Sequence, residues 1–467
     1  MIRRLSRLVA VVVVVTLVAA ACGDDDSADT SASTTTTTTT TTNPAPDEGG
    51  ETPAEEPAEE SVEEPPVELT ASWRGVTEDT IRVGISMLDF KFLVDNNLSP
   101  SGWGDQQLVW QTFIDDLNAR GGILGRSVEP VYTFYNPIGT AEAEAACLTM
   151  TEDNETFAVL AGFVGPAEPA NTCITGAHET VLVGGRANSE RRAQSVAPWI
   201  ETETTRERRL EVLVSLLEQT GRLEGRKIAV VGTQAAQVEY DKAEDVLAGR
   251  GAEVVLTAFN DATVGDIPAE DAVWGPLTQR IDASGADVVF ALGGINSAIR
   301  NLRNAGIDVE IWSLDNDSLR NLGDTVSPEQ ADGVISAAGL SDQEAWEHET
   351  VRHCRDTFAA THPEIEVTDP QDTPREGERW FTPIMAYCRY LQTFEMIATA
   401  AGPDLTPDTF LAAAEAAGEF ELPGQPFNSL GPGKYDANDT ARLVVFDSTL
   451  GERGDLAPLT DIIDATP

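Results

Sequence analysis

Short apolar runs alternate with longer amphipathic stretches from about residue 80 to the end of the chain. The runs are rich in β-branched residues, as buried parallel strands are, and the stretches between them repeat apolar positions with the period of an α-helix. The first set of predicted strands covers residues 81–86, 128–135, 157–163 and 181–183. The second set covers residues 227–231, 253–258, 287–291 and 310–314. This order predicts two α/β units, each with a parallel sheet and crossover helices.

Helices are predicted between the strands and after them. Those of the first unit cover residues 106–120, 141–151 and 169–178, and a long helix over 204–219 precedes the second set of strands. Further helices are predicted at 342–361, 379–400 and 406–417. A last strand, residues 442–447, lies far in sequence from any partner. We therefore expect the chain to cross between the two units more than once.

The first 21 residues have a different pattern. Three arginines within the first seven residues precede an apolar run, residues 8–21, which is too short to span roughly 30 Å of hydrocarbon. We interpret residues 1–21 as a secretory signal peptide. Small residues at 19–21 stand directly before Cys22, as in a bacterial lipobox, and this predicts a lipid anchor on Cys22. Ordinary secretion with an incidental cysteine is the alternative.

Residues 22–76 contain almost no large apolar side chains. Threonine fills positions 34–42 without interruption, and proline and glutamate alternate over residues 51–68. Such a composition cannot bury a core, so it predicts a disordered tether with a root-mean-square reach of roughly 40 Å. The threonine run could carry O-linked sugars or could be a bare polar spacer.

The formal net charge of the chain is −47. Phosphate contacts need clustered lysine and arginine, so this charge argues against binding to nucleic acid or to an anionic membrane surface. We interpret it as a contribution to solubility.

Four cysteines follow Cys22, and they are Cys147, Cys173, Cys354 and Cys388. An even number in an exported chain favours two disulfides, for which three pairings exist. We predict Cys147–Cys173 and Cys354–Cys388, because each closes a short loop between neighbouring helices of one unit. A metal site is less favoured, since no C-x-x-C pair occurs.

Catalytic signatures are absent from the sequence. It has no G-x-S-x-G elbow, and Gly433-Lys434 lacks the rest of a phosphate-binding loop. His348 and His353 are five residues apart, which turns them by about 140° on a helix, so they cannot hold one metal from the same face. We predict a protein that is not an enzyme and that uses no metal or cofactor. An extracellular hydrolase is the less favoured alternative.

Residues 113–126 combine a helix end, a Gly-Gly turn and a Gly-Arg lead into the next strand. Glycine after a helix provides the left-handed conformation without a Cβ penalty. Together with the Trp-Gly-Asp of 103–105 and the second set of strands starting at Lys227, this segment resembles the leucine/isoleucine/valine-binding protein family of type I periplasmic binding proteins. The resemblance extends from about residue 80 to residue 448.

The resemblance implies an α/β fold of two Rossmann-like lobes with parallel sheets, joined by a three-strand hinge. The first lobe would comprise residues 77–204 plus 340–425, and the second lobe residues 205–339 plus 426–467. Ligand would be held between the lobes at the carboxyl ends of the strands, where open α/β sheets bind their ligands.

In the first lobe, the resemblance assigns ligand-binding positions to loops that follow strands. Trp103 stands where the family often has an aromatic residue against the ligand, although a plain core or surface tryptophan is the alternative. Gly165 opens the loop at which the family holds an α-carboxylate with helix-start donors, and a helix start without function fits the same residues. Arg186 and Asn188 would add a cation and an amide, although a solvated arginine is the alternative.

In the second lobe, Tyr240 matches a ligand-stacking tyrosine, and Asn296 follows a strand at the same edge. Asp315 matches the carboxylate that binds a ligand ammonium, with a helix N-cap as the alternative. We expect Arg186 and Asp315 to hold the two charges of a zwitterion from opposite lobes.

The function implied is that of an extracytoplasmic, membrane-anchored solute-binding lipoprotein. It would capture a small polar molecule, an amino acid or a related compound, for the permease subunits of an ABC-type importer. A ligand-sensing module that reports to a membrane partner without transport has the same fold and is the alternative.

Overall fold

The computed structural model describes residues 68–96, 99, 101–262, 266–323, 325–370, 373 and 377–467. The predicted signal peptide, Cys22 and most of the predicted tether lie outside the described residues. Within the described part, no helix is long and apolar enough to cross a membrane.

Seventeen strands are described. They are β1 (Thr80–Leu88), β2 (Ser101–Gly102), β3 (Ser127–Tyr135), β4 (Ala158–Ala161), β5 (Val181–Gly184), β6 (Trp199–Ile200), β7 (Lys227–Thr233), β8 (Glu253–Asn260), β9 (Val288–Leu292), β10 (Glu310–Ser313), β11 (Ile335–Ala338), β12 (Gly377–Glu378), β13 (Gly418–Leu422), β14 (Gln425–Leu430), β15 (Thr440–Asp447), β16 (Asp455–Pro458) and β17 (Ile463–Asp464).

Fourteen α-helices are described. They are α1 (Phe90–Asp95), α2 (Gln106–Ala119), α3 (Ala141–Leu148), α4 (Ser189–Ala193), α5 (Arg206–Gln219), α6 (Gln237–Ala248), α7 (Ile267–Ser284), α8 (Ile295–Asn304), α9 (Asn316–Arg320), α10 (Pro328–Ala331), α11 (Asp342–Glu347), α12 (Glu349–Thr361), α13 (Phe381–Ala400) and α14 (Pro407–Glu415). The predicted helix over 169–178 is instead a 3₁₀ turn, Gly165–Ala170, followed by a π turn, Cys173–Ala177.

The strands form two main sheets. The first sheet has the order β3-β1-β4-β5-β6 and is parallel throughout. The second has the order β16-β15-β11-β10-β9-β7-β8 and is parallel from β8 to β11, with β15 and β16 antiparallel. The predicted α/β class with parallel sheets is confirmed. The predicted strand 442–447 is part of β15 and pairs with β11 of the second sheet.

The inner strands of the second sheet are buried on both faces, and β9 shows why the sequence folds this way. All five of its residues are buried. Val289 and Ala291 face a core that includes side chains of α7 and α8, whereas Val288, Phe290 and Leu292 face a core with side chains of α5 and α6. Successive side chains of a strand point to opposite faces, so a continuous apolar run fits a sheet covered by helices on both sides.

The chain passes between the cores of the two sheets three times. It leaves the first sheet after β6 and enters α5, whose apolar face packs against the second sheet. After β11 it returns, because α12, α13 and α14 contribute to the core of β1. It crosses again between β14 and β15. The boundaries proposed above for the two lobes stay a prediction.

Two disulfides join the pairs Cys147–Cys173 and Cys354–Cys388, which is the pairing expected from the sequence. The first links α3 to the π turn that follows the 3₁₀ turn, and the second links α12 to α13. Both lie in the packing around the first sheet.

Candidate functional site

A cavity of about 500 Å³ lies between the two sheets. One wall follows the ends of β1, β4 and β5, and the other includes α9, the end of β11 and the first turns of α5. The carboxyl ends of parallel strands meet at one edge, which brings the loops after β1, β4 and β5 together there. The cavity is therefore at the place where this class of fold binds ligands.

Aromatic side chains line one end of this cavity. The rings of Phe90 and Trp103 stack with centroids 4.7 Å apart, and Trp103 meets Tyr387 edge-on at 6.1 Å. Tyr390 and Tyr135 also line the cavity, and burial raises the pKa of both hydroxyls. This end offers rings and neutral hydroxyl groups to the flat or apolar part of a small molecule.

Six arginines line the same cavity, and they are Arg186, Arg206, Arg208, Arg209, Arg320 and Arg389. Four of the six form ion pairs with carboxylates of the protein. Within the described part of the chain, Arg209 and Arg320 form none. In a protein with 78 acidic residues and 31 lysines and arginines, two guanidinium groups left unpaired in one cavity indicate a site for an anion.

Arg209 is the more informative of the two. Burial, and after it the charge of Arg186, lowers the pKa of the Arg209 guanidinium, while Asp317 and Glu203 act in the opposite direction without pairing with it. Its one hydrogen bond is a long one of 3.5 Å from Nη2 to the carbonyl oxygen of Thr204. Arg209 is partly buried, and its guanidinium forms no ion pair within the described residues, so a negative group in the cavity would gain charge-assisted hydrogen bonds from it.

A buried carboxylate, Glu168, holds the neighbouring arginines. It lies in the 3₁₀ turn after β4, and its oxygens are 2.9 Å from Arg191, 3.7 Å from Arg206 and 4.0 Å from Arg186. Arg206 belongs to α5, so this carboxylate joins the loops of the first sheet to a helix of the second. Arg186 also reaches Asp317 of α9 at 3.7 Å. Burial opposes the charge of Arg186, but Asp317 and Glu168 together raise its pKa.

A second cavity of about 390 Å³ adjoins the first and lies at the carboxyl edge of the second sheet. Its walls come from the ends of β7, β9 and β10 and the helix starts that follow them. Arg186, Arg206 and Arg209 line both cavities. These three arginines are therefore the boundary that the two cavities share.

Four of the seven residues expected to bind ligand line a cavity. Trp103 lines the first, Arg186 lines both, and Asn296 and Asp315 line the second. Asp315 accepts hydrogen bonds from the backbone N–H and the hydroxyl of Ser318, and so it caps α9 as the alternative interpretation expected.

Gly165, Asn188 and Tyr240 line neither cavity. Gly165 is exposed at the start of the 3₁₀ turn, with a φ of 64°. The amide oxygen of Asn188 accepts the N–H of Arg191 and caps α4. Tyr240 is partly buried against the core of the second sheet and packs on Phe259 of β8 at a centroid distance of 5.3 Å. Each of these side chains or positions has a local structural role.

Arg206 and Arg209 were not among the residues expected to bind ligand, although the sequence contains one signal for them. Residues 206–209 read Arg-Glu-Arg-Arg and form the first turn of α5. Cations at a helix N-terminus oppose the helix dipole, so three arginines there need another reason. The reason is the cavity that they line.

Glu201 lies where the chain leaves the first sheet, and it lines the first cavity. One of its oxygens accepts the N–H of Ala187 at 2.8 Å and is 3.4 Å from Arg192. Burial outweighs both contacts and raises the pKa of Glu201 to about 8. The folded protein thus keeps a proton on this group at pH values where the unfolded chain has released it.

We expect the free energy of unfolding to fall as the pH rises through this window. Between the ordinary glutamate pKa of 4.5 and about 8, the native state binds the extra proton, so stability is lost with increasing pH, by up to about 1.4 kcal/mol per pH unit. Glu201→Gln should remove this slope. Urea unfolding across this pH range measures it, and identical slopes in the two proteins would show that Glu201 is ionised in the fold.

Two sheets built mainly of parallel strands, with a ligand-sized cavity and three chain crossings between them, define a two-lobed α/β binding protein. The family described as periplasmic binding protein matches residues 106–448. The chain belongs to this family, whose type I members are solute-binding proteins of ABC transporters and act outside the cytoplasm. No curated protein sequence matches the chain at a significant level.

Solved structures of the same fold come from several bacteria. A solute-binding protein of an ABC transporter from Rhodopseudomonas palustris HaA2, in complex with p-hydroxybenzoic acid, is 17% identical, covers 83% of this chain and 98% of its own, and has a TM-score of 0.57. An ABC transporter substrate-binding protein from Desulfitobacterium hafniense with Leu is 14% identical over 81% and 100%, with a TM-score of 0.56. A fatty acid ABC transporter substrate-binding protein from Thermomonospora curvata is 14% identical over 85% and 95%, with a TM-score of 0.55.

Proposed function

We propose that this protein delivers a small carboxylic acid, an amino acid or a related compound, to an ABC-type importer. The observation that supports this most directly is Arg209, a partly buried guanidinium that lines the cavity between the sheets and forms no ion pair within the described residues. A carboxylate is the small group that matches the two parallel N–H donors of a guanidinium.

The surroundings of Arg209 favour a ligand that contacts both sheets. Arg186 comes from the loop after β5 of the first sheet, and Arg206 and Arg209 come from α5, which packs on the second. A carboxylate between them would be held from both sides. The aromatic end of the cavity, with Trp103, would receive the rest of the ligand.

Three solved proteins of this fold are consistent with such a ligand. The proteins from Rhodopseudomonas palustris, Desulfitobacterium hafniense and Thermomonospora curvata are described with p-hydroxybenzoic acid, with Leu and as a fatty acid binder. All three ligand types have a carboxylate. These ligands differ in the rest of the molecule. They therefore support an acidic group in the ligand and do not specify the group to which it is attached.

The residues proposed to contact the ligand are Trp103, Arg186, Asn296 and Asp315 from the sequence, together with Arg209. An amino acid would also need a negative group for its ammonium. Asp315 is the proposed partner, although its carboxylate already accepts two hydrogen bonds from Ser318. Gly165, Asn188 and Tyr240 are outside this proposal because they line neither cavity.

A thermal-unfolding screen of carboxylic acids and amino acids against the full-length chain tests the proposal. A ligand present at a hundred times its dissociation constant adds about 2.7 kcal/mol to the free energy of unfolding, which raises the unfolding temperature measurably. The methyl ester of each active acid is the matched control, because it keeps the body and removes the charge. A screen in which esters act as well as acids would contradict the proposal.

We further propose that the protein is held on the outer face of the cell membrane through a lipid on Cys22. The support is the sequence, in which small residues precede Cys22 after an apolar run. Cys22→Ser should release the protein from the membrane fraction into the medium. Mass spectrometry of the wild-type protein should find an acyl group on Cys22, and an unmodified soluble wild-type protein would exclude the anchor.

A further inference from the structure

The second cavity shares part of its lining with the first. Arg186, Arg206 and Arg209 line both cavities, and the second cavity extends from them along the carboxyl edge of the second sheet. A carboxylate held by these arginines would therefore stand at the entrance to both. The opposite wall of the second cavity determines which chemical group of the ligand could bind there.

That wall is formed by the first turn of α8. The helix begins after Gly293 and Gly294, and Gly294 adopts a φ of 61° at the N-cap position, where it offers no side chain to the free N–H groups. The first N–H groups of a helix have no acceptor within the helix, and the end of the helix carries a partial positive charge. Asn296 and Ser297 of this turn both line the cavity.

Two side-chain atoms on this turn also lack partners. Ser297 is 3% exposed, and its hydroxyl has no hydrogen-bond partner among the described residues. The amide oxygen of Asn296 is buried and unpaired in the same way. Rotation of the amide presents its NH₂ group in place of the oxygen. Buried polar groups in native proteins are almost always paired, so an unpaired hydroxyl on a cavity wall indicates a position that a ligand completes.

Two of the three acidic residues that line this cavity already have partners. Glu270 is 3.2 Å from Arg300, and Asp315 accepts both donors of Ser318. The third, Glu239, is buried, and burial raises its pKa. These groups therefore leave the donors of the α8 turn and Arg209 available to an acidic group of the ligand.

We propose that the second cavity binds a second carboxylate, so that the ligand is a dicarboxylic acid held at the three shared arginines and at the start of α8. The inference rests on the proposed function, because it assumes that the cavities bind a transported acid. It narrows the ligand class from carboxylic acids to those with two acidic groups. The hydroxyl of Ser297 and the N–H groups of the α8 turn would donate hydrogen bonds to the second carboxylate.

Isothermal titration of the full-length chain with paired ligands tests this. Straight-chain dicarboxylic acids from malonate to azelate are each compared with the monocarboxylic acid of the same carbon number, and glutamate and aspartate with glutamine and asparagine. At least one diacid is expected to bind about tenfold or more tightly than its partner, since hydrogen bonds to charged groups are the stronger ones. Ser297→Ala should reduce that preference by about tenfold.

The stability of the unliganded protein distinguishes a ligand-binding role of Ser297 from a structural role. Because the Ser297 hydroxyl has no partner in the described protein, Ser297→Ala should leave the unfolding midpoint of the unliganded protein unchanged or slightly higher. Ser336→Ala is the matched control. Ser336 is fully buried in β11 and donates to the carbonyl oxygen of Ser313 at 2.7 Å, so its loss should lower the midpoint and leave the diacid preference intact.

The titrations test the second carboxylate site separately from the binding of carboxylic acids in general. Monoacids that bind as tightly as every diacid would overturn the second carboxylate site and leave the carboxylic acid function in place. A diacid preference that survives Ser297→Ala would overturn the assignment to the α8 turn. A chain that binds no carboxylate at all would overturn both.

Discussion

Arg209→Gln is expected to weaken binding of the carboxylate ligand by on the order of a hundredfold. Removing one partner of a desolvated charge pair costs about 2–5 kcal/mol, and each 1.4 kcal/mol is a factor of ten in affinity. The guanidinium of Arg209 forms no ion pair within the described part of the protein and is therefore free to bind the ligand. Its replacement would leave the ligand carboxylate without this partner. Calorimetric titration of an acid found in the ligand screen measures the loss.

Two comparisons make the result specific. Without ligand, Arg209→Gln should keep or slightly raise the free energy of unfolding, because the substitution removes a cation whose charge burial disfavours. Arg250→Gln is the matched control, since Arg250 pairs with Glu218 at 2.6 Å and lines neither cavity. Equal affinity in the wild-type and Arg209→Gln proteins would remove the main support for a carboxylate ligand.

Arg208→Met, one residue earlier on the same helix, is expected to destabilise the fold by about 3–5 kcal/mol. Arg208 is 2.7 Å from Asp436 and 2.7 Å from Asp439, whose side chains are 6% and 0% exposed. Methionine retains the packing of the long side chain and removes its charge. The two carboxylates would then remain buried with less compensation, which is the costly case for a buried ion pair. Urea unfolding measures the change.

The loss of stability in Arg208→Met depends on Lys434, which also contacts both carboxylates. Its ammonium is 3.1 Å from Asp439 and 3.9 Å from Asp436 and would remain after Arg208 is replaced. A loss below about 1 kcal/mol would mean that Lys434 compensates the two acids without Arg208. Adding Asp436→Asn and Asp439→Asn to Arg208→Met should recover part of the stability, because the uncompensated charges are then absent.

The inner parallel strands were predictable because they are buried on both faces. Residues 228–231 and 288–291 are continuous apolar runs, and they lie in β7 and β9, which have a neighbouring strand on each side in the second sheet. β6 and β11 were not predicted. β6 has two residues, and β11 reads Ile-Ser-Ala-Ala, which carries little strand preference of its own. These strands exist because a neighbouring strand already provides a hydrogen-bonding edge.

The candidate site was predictable only in the loops that directly follow a strand. Arg186 follows β5 and lines both cavities as expected. Arg209 lies on a helix, and its position in the cavity depends on how α5 packs against the second sheet, which local sequence does not specify. Tyr240 illustrates the reverse error. It follows β7 as the resemblance implies, but its ring packs over Gly232, where a Cβ atom would lie 2.4 Å from the ring.

Both disulfides lie in the same half of the described protein. Both join elements that pack around the first sheet, and within the described residues no disulfide lies in the second sheet or bridges the space between the sheets. A reducing agent would therefore loosen one half of the molecule selectively. The relative movement of the two halves requires no bond to be made or broken, so occupancy of the cavity and the oxidation state of the cysteines can change independently in an oxidising environment outside the cell.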